Sequence, residues 1–192
     1  MESRIANARA LGFASFGIGV WMYCMALAGW FPESVLTSST MGNVATTVTL
    51  GLFIAAIASF LRTDHWAAFF FMFWAATWWG VRAGNGPDEG NMVYAGWFFA
   101  AIAVVNVILF MAAMRDLETG LVRLVNGGIA LAFVCWALGA WGLGMFFVAL
   151  AGYIGLLTAL AAFWAAATEA LGGVIGKGGA KSDAATPEAG GV

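Results

Sequence analysis

The chain has 192 residues, 62% of them apolar and only 9% charged, with a mean hydropathy of +0.89. Such a composition excludes an ordinary water-soluble domain and points to an integral membrane protein. Ten acidic against eight basic residues leave a net charge of −2, too small and too scattered to suggest a nucleic-acid or acidic-protein partner.

A hydrocarbon core about 30 Å thick takes roughly 20 apolar residues per helix. Charged or Gly/Pro/Asn-rich breaks divide the chain into six such runs: Ala10–Trp30, Asn43–Leu61, Trp66–Val81, Asn91–Met114, Leu124–Trp141 and Met145–Thr168. Each is continuously apolar rather than alternating, so the expected fold class is all-α, a polytopic six-helix transmembrane bundle over residues 10–171. The third run is short and either sits nearly upright or borrows Arg82 as a snorkelling end. The first is longer than the apolar region of a signal peptide and carries no small-residue cleavage site. Residues 1–9 form a short N-terminal segment, and 172–192, rich in Gly and Ala with scattered charge, read as a disordered tail.

Arg4 and Arg9 precede the first span, Arg62 lies between the second and third, Arg115 and Arg123 between the fourth and fifth, and Lys177 and Lys181 follow the last. All share one side, leaving Arg82 alone on the other. The positive-inside rule then predicts a multi-pass protein of the cell membrane with both termini cytoplasmic.

Few residues carry chemistry. His65 is the only histidine, no lysine lies in a span, and Cys24 and Cys135 fall at unrelated depths. Haem ligation by paired histidines, a multi-histidine metal site and a Schiff base are all excluded within this chain, so neither cofactor nor metal is expected and an enzyme is improbable. Asp64-His65 reads as a solvated polar loop, and GNGPDEGN as an outer turn without the strand, helix start or lysine of a phosphate cradle. Trp30, Phe31, Trp66, Tyr94 and Trp141 lie near the predicted interfaces as belt residues. Gly17, Gly19, Gly51, Gly127, Gly128, Gly152 and Gly155 allow helices to approach closely.

Polar atoms inside the spans are expensive and define the candidate pathway: Asn43, Thr46, Thr47, Thr49, Thr77, Asn106, Asn126 and Thr158. Threonine hydroxyls return bonds to their own helix. The Asn106 amide cannot be satisfied by its own backbone alone, and an interhelical hydrogen bond is the expected role. Glu169, in the last turn of the sixth span, either ends the span in headgroup water, pairs with Arg9 or Arg62 to hold helix ends together, or exchanges protons.

NARALGFASFG, Asn7 to Gly17, resembles the N-P-x-x-L-G-x-x-x-F-G opening of the acetate uptake transporter family, the succinate-acetate permease-like proteins. The last span resembles that family's final helix in Ala151, Gly152, Tyr153, Ile154, Gly155, Leu156, Trp164 and Glu169, and Phe71, Trp74 and Trp78 echo its third helix. The resemblance implies a homohexamer of six-helix protomers, each passing acetate or a similar small carboxylate through an apolar constriction. That constriction falls on Phe16, Trp74 and Ile129. With no basic residue inside the spans, Asn7, Thr77 and Asn106 are the candidate groups for binding or admitting substrate. Ala8 and Ala10 stand where the family has prolines, Leu50 and Ala55 replace a tyrosine and a glutamine, Phe69, Met72 and Phe73 replace hydroxyl-bearing positions, and Trp74 is bulkier than the commoner tyrosine. These departures predict a drier, narrower path, one that favours a protonated acid. A channel for a neutral solute such as urea or ammonia, and a non-transporting membrane subunit, stay open as alternatives.

Overall fold

The computed structural model describes residues 8–82, 92–116 and 118–171. Six helices follow in chain order: α1 (Arg9–Leu27), α2 (Ser39–Leu61), α3 (His65–Arg82), α4 (Met92–Arg115), α5 (Gly120–Leu138) and α6 (Met145–Ala170). Among the described residues there is no strand. A short 3-10 helix, Glu33–Thr37, precedes α2, and a widened turn, Gly139–Leu143, follows α5. Among the described residues all six helices are present, and five of them are long and apolar enough to cross a membrane. The exception is α3, whose 18 residues include His65, Trp66, Trp74, Trp78 and Trp79, residues that pack well yet prefer an edge or a polar partner to hydrocarbon.

Local chemistry sets the helix ends. Ser38 caps α2 by accepting the Met41 N–H, which starts that helix four residues earlier than the apolar pattern predicted. Thr119 does the same for α5 through Val122 N–H. The predicted fifth span runs to Trp141, whereas α5 stops at Leu138. Gly142 and Gly144 adopt φ of 88° and 114° there, conformations open to glycine and strained for other residues. The predicted tail, 172–192, and Asn7 lie outside the described residues.

Neighbouring helices pack in the ring order α3, α2, α1, α6, α5, α4, with Trp66 Nε1–H donating to the Leu109 carbonyl (3.2 Å) to bring α3 against α4. Trp66 is therefore a core residue rather than part of an interfacial belt, while Trp30, Phe31 and Tyr94 are exposed. On α1 only Leu11 and Ile18 are exposed, which makes it the most enclosed helix. The outward faces of α2, α4 and α6 present Leu50, Ile54, Val104, Ile108, Leu157 and Leu160, apolar surface that suits lipid.

Small residues set the α1–α6 contact. A Cβ on Gly152 would lie 2.8 Å from Ala28 Cα and Leu27 C, which are backbone atoms with no rotamer to retreat into. Gly152→Ala is expected to lower stability by about 1–3 kcal/mol, read as a fall of roughly 3–10 °C in the melting temperature of the detergent-solubilised protein. Gly127→Ala, whose Cβ would meet Phe110 at an ordinary 3.5 Å, should cause no such loss.

Candidate functional site

The inner faces of the ring can be read from helical periodicity, about 100° per residue. On α4 the exposed residues Val104, Ile108 and Met111 lie opposite Phe99, Ile102 and Asn106, which are buried. On α5, Leu124 and Leu131 face out, and Asn126, Ile129 and Phe133 face in. Phe70 and Trp74 of α3 and Phe13 and Phe16 of α1 complete the interior.

These side chains form a continuous column of ring contacts linking α3, α1 and α5. Trp66 stacks on Phe70 with ring centroids 5.1 Å apart and planes at 11°. Phe70 meets Phe16 at 5.3 Å, Phe16 meets Trp74 edge-on at 4.9 Å, and Trp74 meets Phe133 at 5.8 Å. Phe133 then contacts Trp136 (5.6 Å), which packs on Tyr23 (5.3 Å). Edge-to-face pairs at these separations are attractive beyond their buried area. Phe16, Trp74 and Ile129 are 0%, 2% and 3% exposed, so all three point inward and none faces the lipid.

Counting at 1.5 Å per residue, Trp74 lies about 13 Å from the start of α3, Ile129 about 13 Å from the start of α5, Asn106 about 13 Å from the end of α4, and Phe16 about 10 Å from the start of α1. All four helix ends meet at one end of the bundle, beside Arg9. Phe16, Trp74, Ile129 and Asn106 therefore share roughly one level.

Asn106 and Asn126 are both 0% exposed. Asn106 Nδ2 donates to the Ile102 carbonyl (2.9 Å) and Asn126 Nδ2 to the Val122 carbonyl (2.8 Å), each one turn back on its own helix. The interhelical bond expected for Asn106 is not formed; the nearer backbone acceptor has taken its N–H. A carbonyl can only accept, so the amide nitrogen must face it, and the two Oδ1 atoms are left without partners. Trp74 Nε1 is likewise buried and unpartnered. Thr77 is half-buried, its hydroxyl donating to the Phe73 carbonyl on its own helix (3.0 Å). A separate apolar groove between α4 and α5, lined by Ala100, Val104, Val107, Val134 and Trp141, opens outward and is not part of this interior.

One end of the column is covered by charge. Arg9 donates to both oxygens of Asp64 (2.6 and 2.9 Å) and both of Glu118 (2.8 and 2.7 Å). Its guanidinium carbon sits 5.7 Å from the centre of the Trp66 ring, and Glu169 Oε1 lies 3.9 Å from Nη1. One fork thus joins the start of α1 to the α2–α3 turn, the α4–α5 turn and the end of α6. Asp64 is not simply solvated loop: it also accepts the Ala67 N–H (3.2 Å) in the first turn of α3. Sequence reasoning missed Glu118 and gave Asp64 no partner. The available signal was topological, since an even number of spans separates Arg9 from each carboxylate and so places all of them at one end.

Burial pushes the Asp64 carboxyl up, but the Arg9 hydrogen bond and charge, the Ala67 N–H and the charge of Arg62 together outweigh it and hold the group below its ordinary 3.8. A depressed folded-state pKa contributes stability that is complete above 3.8 and fades as pH falls through the lowered value. Thermal melting should accordingly show no loss from this pair between pH 7 and 5 and a loss below pH 4, a loss that Asp64→Asn removes.

Neither a protein-family model nor any curated protein sequence matches the chain. Among solved structures it is similar to one described as the bacterial acetate channel SatP, with a TM-score of 0.79 at 17% identity over 88% of this chain and 93% of that one. At that identity the likeness concerns the path of the backbone, and what it establishes is that this chain has the fold of a bacterial acetate channel.

Proposed function

We propose that the bundle is a membrane channel for acetate and similar small monocarboxylates, with α3 spanning alongside the other five helices and Phe16, Trp74 and Ile129 forming its constriction. The reading assigns the chain to the acetate uptake transporter family, with both termini in the cytoplasm and protomers assembled as hexamers. The Phe16–Trp74 contact carries it: two bulky, buried rings meet edge to face inside a fold shared with an acetate channel.

An apolar ring on the axis stops a continuous file of water and gates by dewetting. In this conformation the rings touch, so passage requires Phe16 or Trp74 to change rotamer. Uptake of labelled acetate into liposomes holding the purified protein, with protein-free vesicles subtracted and external pH varied, is the test. Uptake above that background supports the reading, and its rise at acid pH supports movement of a proton with the solute. Uptake no faster than in protein-free vesicles would sink it.

A further inference from the structure

We propose that Arg9 latches a gate over one end of the path: while its fork holds Asp64 and Glu118 that end is shut, and it opens when the first turn of α1 lets go. The inference rests on the reading of the bundle as a channel and adds to it a second barrier, one of charge, at a distance from the apolar one. In the ring, α1 packs between α2 and α6, so the α4–α5 turn stands on the far side from it. Arg9 nonetheless bonds Glu118 of that turn and, with the same guanidinium, Asp64 ahead of α3. A group only a few ångströms wide that grips both sides of a ring lies across its opening.

Next to the guanidinium sits Trp66, then Phe13 and Phe70, and then Phe16. A solute that leaves the Phe16–Trp74 contact toward this end therefore meets the charged cluster last. The side chains of Arg9, Asp64, Glu118 and Glu169 are only 12–23% exposed, although at the end of a bundle such groups ordinarily extend into water. They are folded over the opening instead. Two features let the latch release. α1 begins behind Ala8, which supplies no side-chain cap, whereas Ser38 and Thr119 cap α2 and α5, and an uncapped first turn unwinds more readily. One guanidinium also faces three carboxylates, so the closed state gathers groups that repel one another once Arg9 leaves. Closed and released are thus two discrete arrangements, separated by the bonds of one side chain.

Phe70 is fully buried between the cluster and the constriction, so Phe70→Cys puts a thiol behind the latch. Its rate of reaction with a water-soluble methanethiosulfonate, followed by mass spectrometry on the full-length protein in detergent, reports how often that end opens. Glu118→Gln keeps the shape of the side chain and removes the charge that one half of the fork grips. The new thiol should react at least about fivefold faster in Phe70→Cys/Glu118→Gln than in Phe70→Cys, the worth of one charge-assisted bond made neutral. The native Cys24 and Cys135, both buried and about 22 Å along α1 and α5 from the same end, should keep their rates. An unchanged rate at the new thiol overturns the latch. So does an equal acceleration of all three thiols, which reports loosening of the whole bundle. Where Phe70→Cys does not fold, Ala67→Cys, which adds a single sulfur at a fully buried position about one turn nearer the cluster, gives the same reading. Labelling does not depend on acetate flux, so a failed latch leaves the channel reading standing, and that reading fails only when the unmodified protein gives no uptake.

Discussion

Arg9→Ala is expected to unfold at a temperature roughly 5–15 °C below the unmodified protein in detergent. The substitution removes four charge-assisted hydrogen bonds and leaves the carboxylates of Asp64, Glu118 and Glu169 facing one another at the end of the bundle. Breaking a largely buried pair by deleting one partner costs about 3–5 kcal/mol, and partial exposure reduces this to about 2–4 kcal/mol here. Arg9→Lys should recover less than half of the loss, because an ammonium keeps the charge but cannot fork onto two carboxylates at once. Glu169→Gln should change stability by no more than about 1 kcal/mol, since at 3.9 Å it is the outlying member of the cluster. A melting temperature for Arg9→Ala within 2 °C of the unmodified protein would show that the helix ends are held by packing alone.

Trp74→Ala is expected to raise acetate uptake at least about tenfold and to admit acids as large as butyrate, while lowering stability by about 3–5 kcal/mol. The two effects in opposite directions distinguish a constriction from a core. Removing a large ring from solid packing weakens the protein and conducts nothing. Removing it from the narrowest point of a path weakens the protein and opens the path, because Phe16 then keeps only Phe70 as a ring partner. Trp74→Phe, which keeps a ring and deletes the unpartnered Nε1–H, should fold normally and leave the width almost unchanged. Selectivity for short acids that is the same in Trp74→Ala as in the unmodified protein would contradict the assignment of Trp74.

Hydropathy alone located six helices, because continuous apolar runs in a chain this poor in charge have few other outcomes. Helix ends were less legible. Ser38 and Thr119 act as caps only in a particular backbone conformation, and the early stop of α5 depends on the positive φ at Gly142 and Gly144. The inward direction of Phe16, Trp74 and Ile129 was reached through a motif rather than through amphipathicity, because lipid and interior are equally apolar and no polar face marks the outside. Trp66 illustrates the same difficulty: position suggested the interface, whereas its indole N–H found the Leu109 carbonyl across the ring. Asn106 was recognisable as unusual from its depth, but which atom stayed free depended on the Ile102 carbonyl one turn away. Arg9 and its carboxylates are far apart in sequence, and only the antiparallel path of the helices brings them together.

The central claim is that Phe16 lies across a passage. Phe16→Cys, reconstituted and treated with a small neutral thiol reagent that adds a methylthio group, tests it most directly, with the unmodified chain as control for the buried Cys24 and Cys135. The account predicts that the variant conducts acetate faster than the unmodified protein and that modification of the new thiol returns uptake toward the original rate. Complete modification with no change in uptake would contradict it.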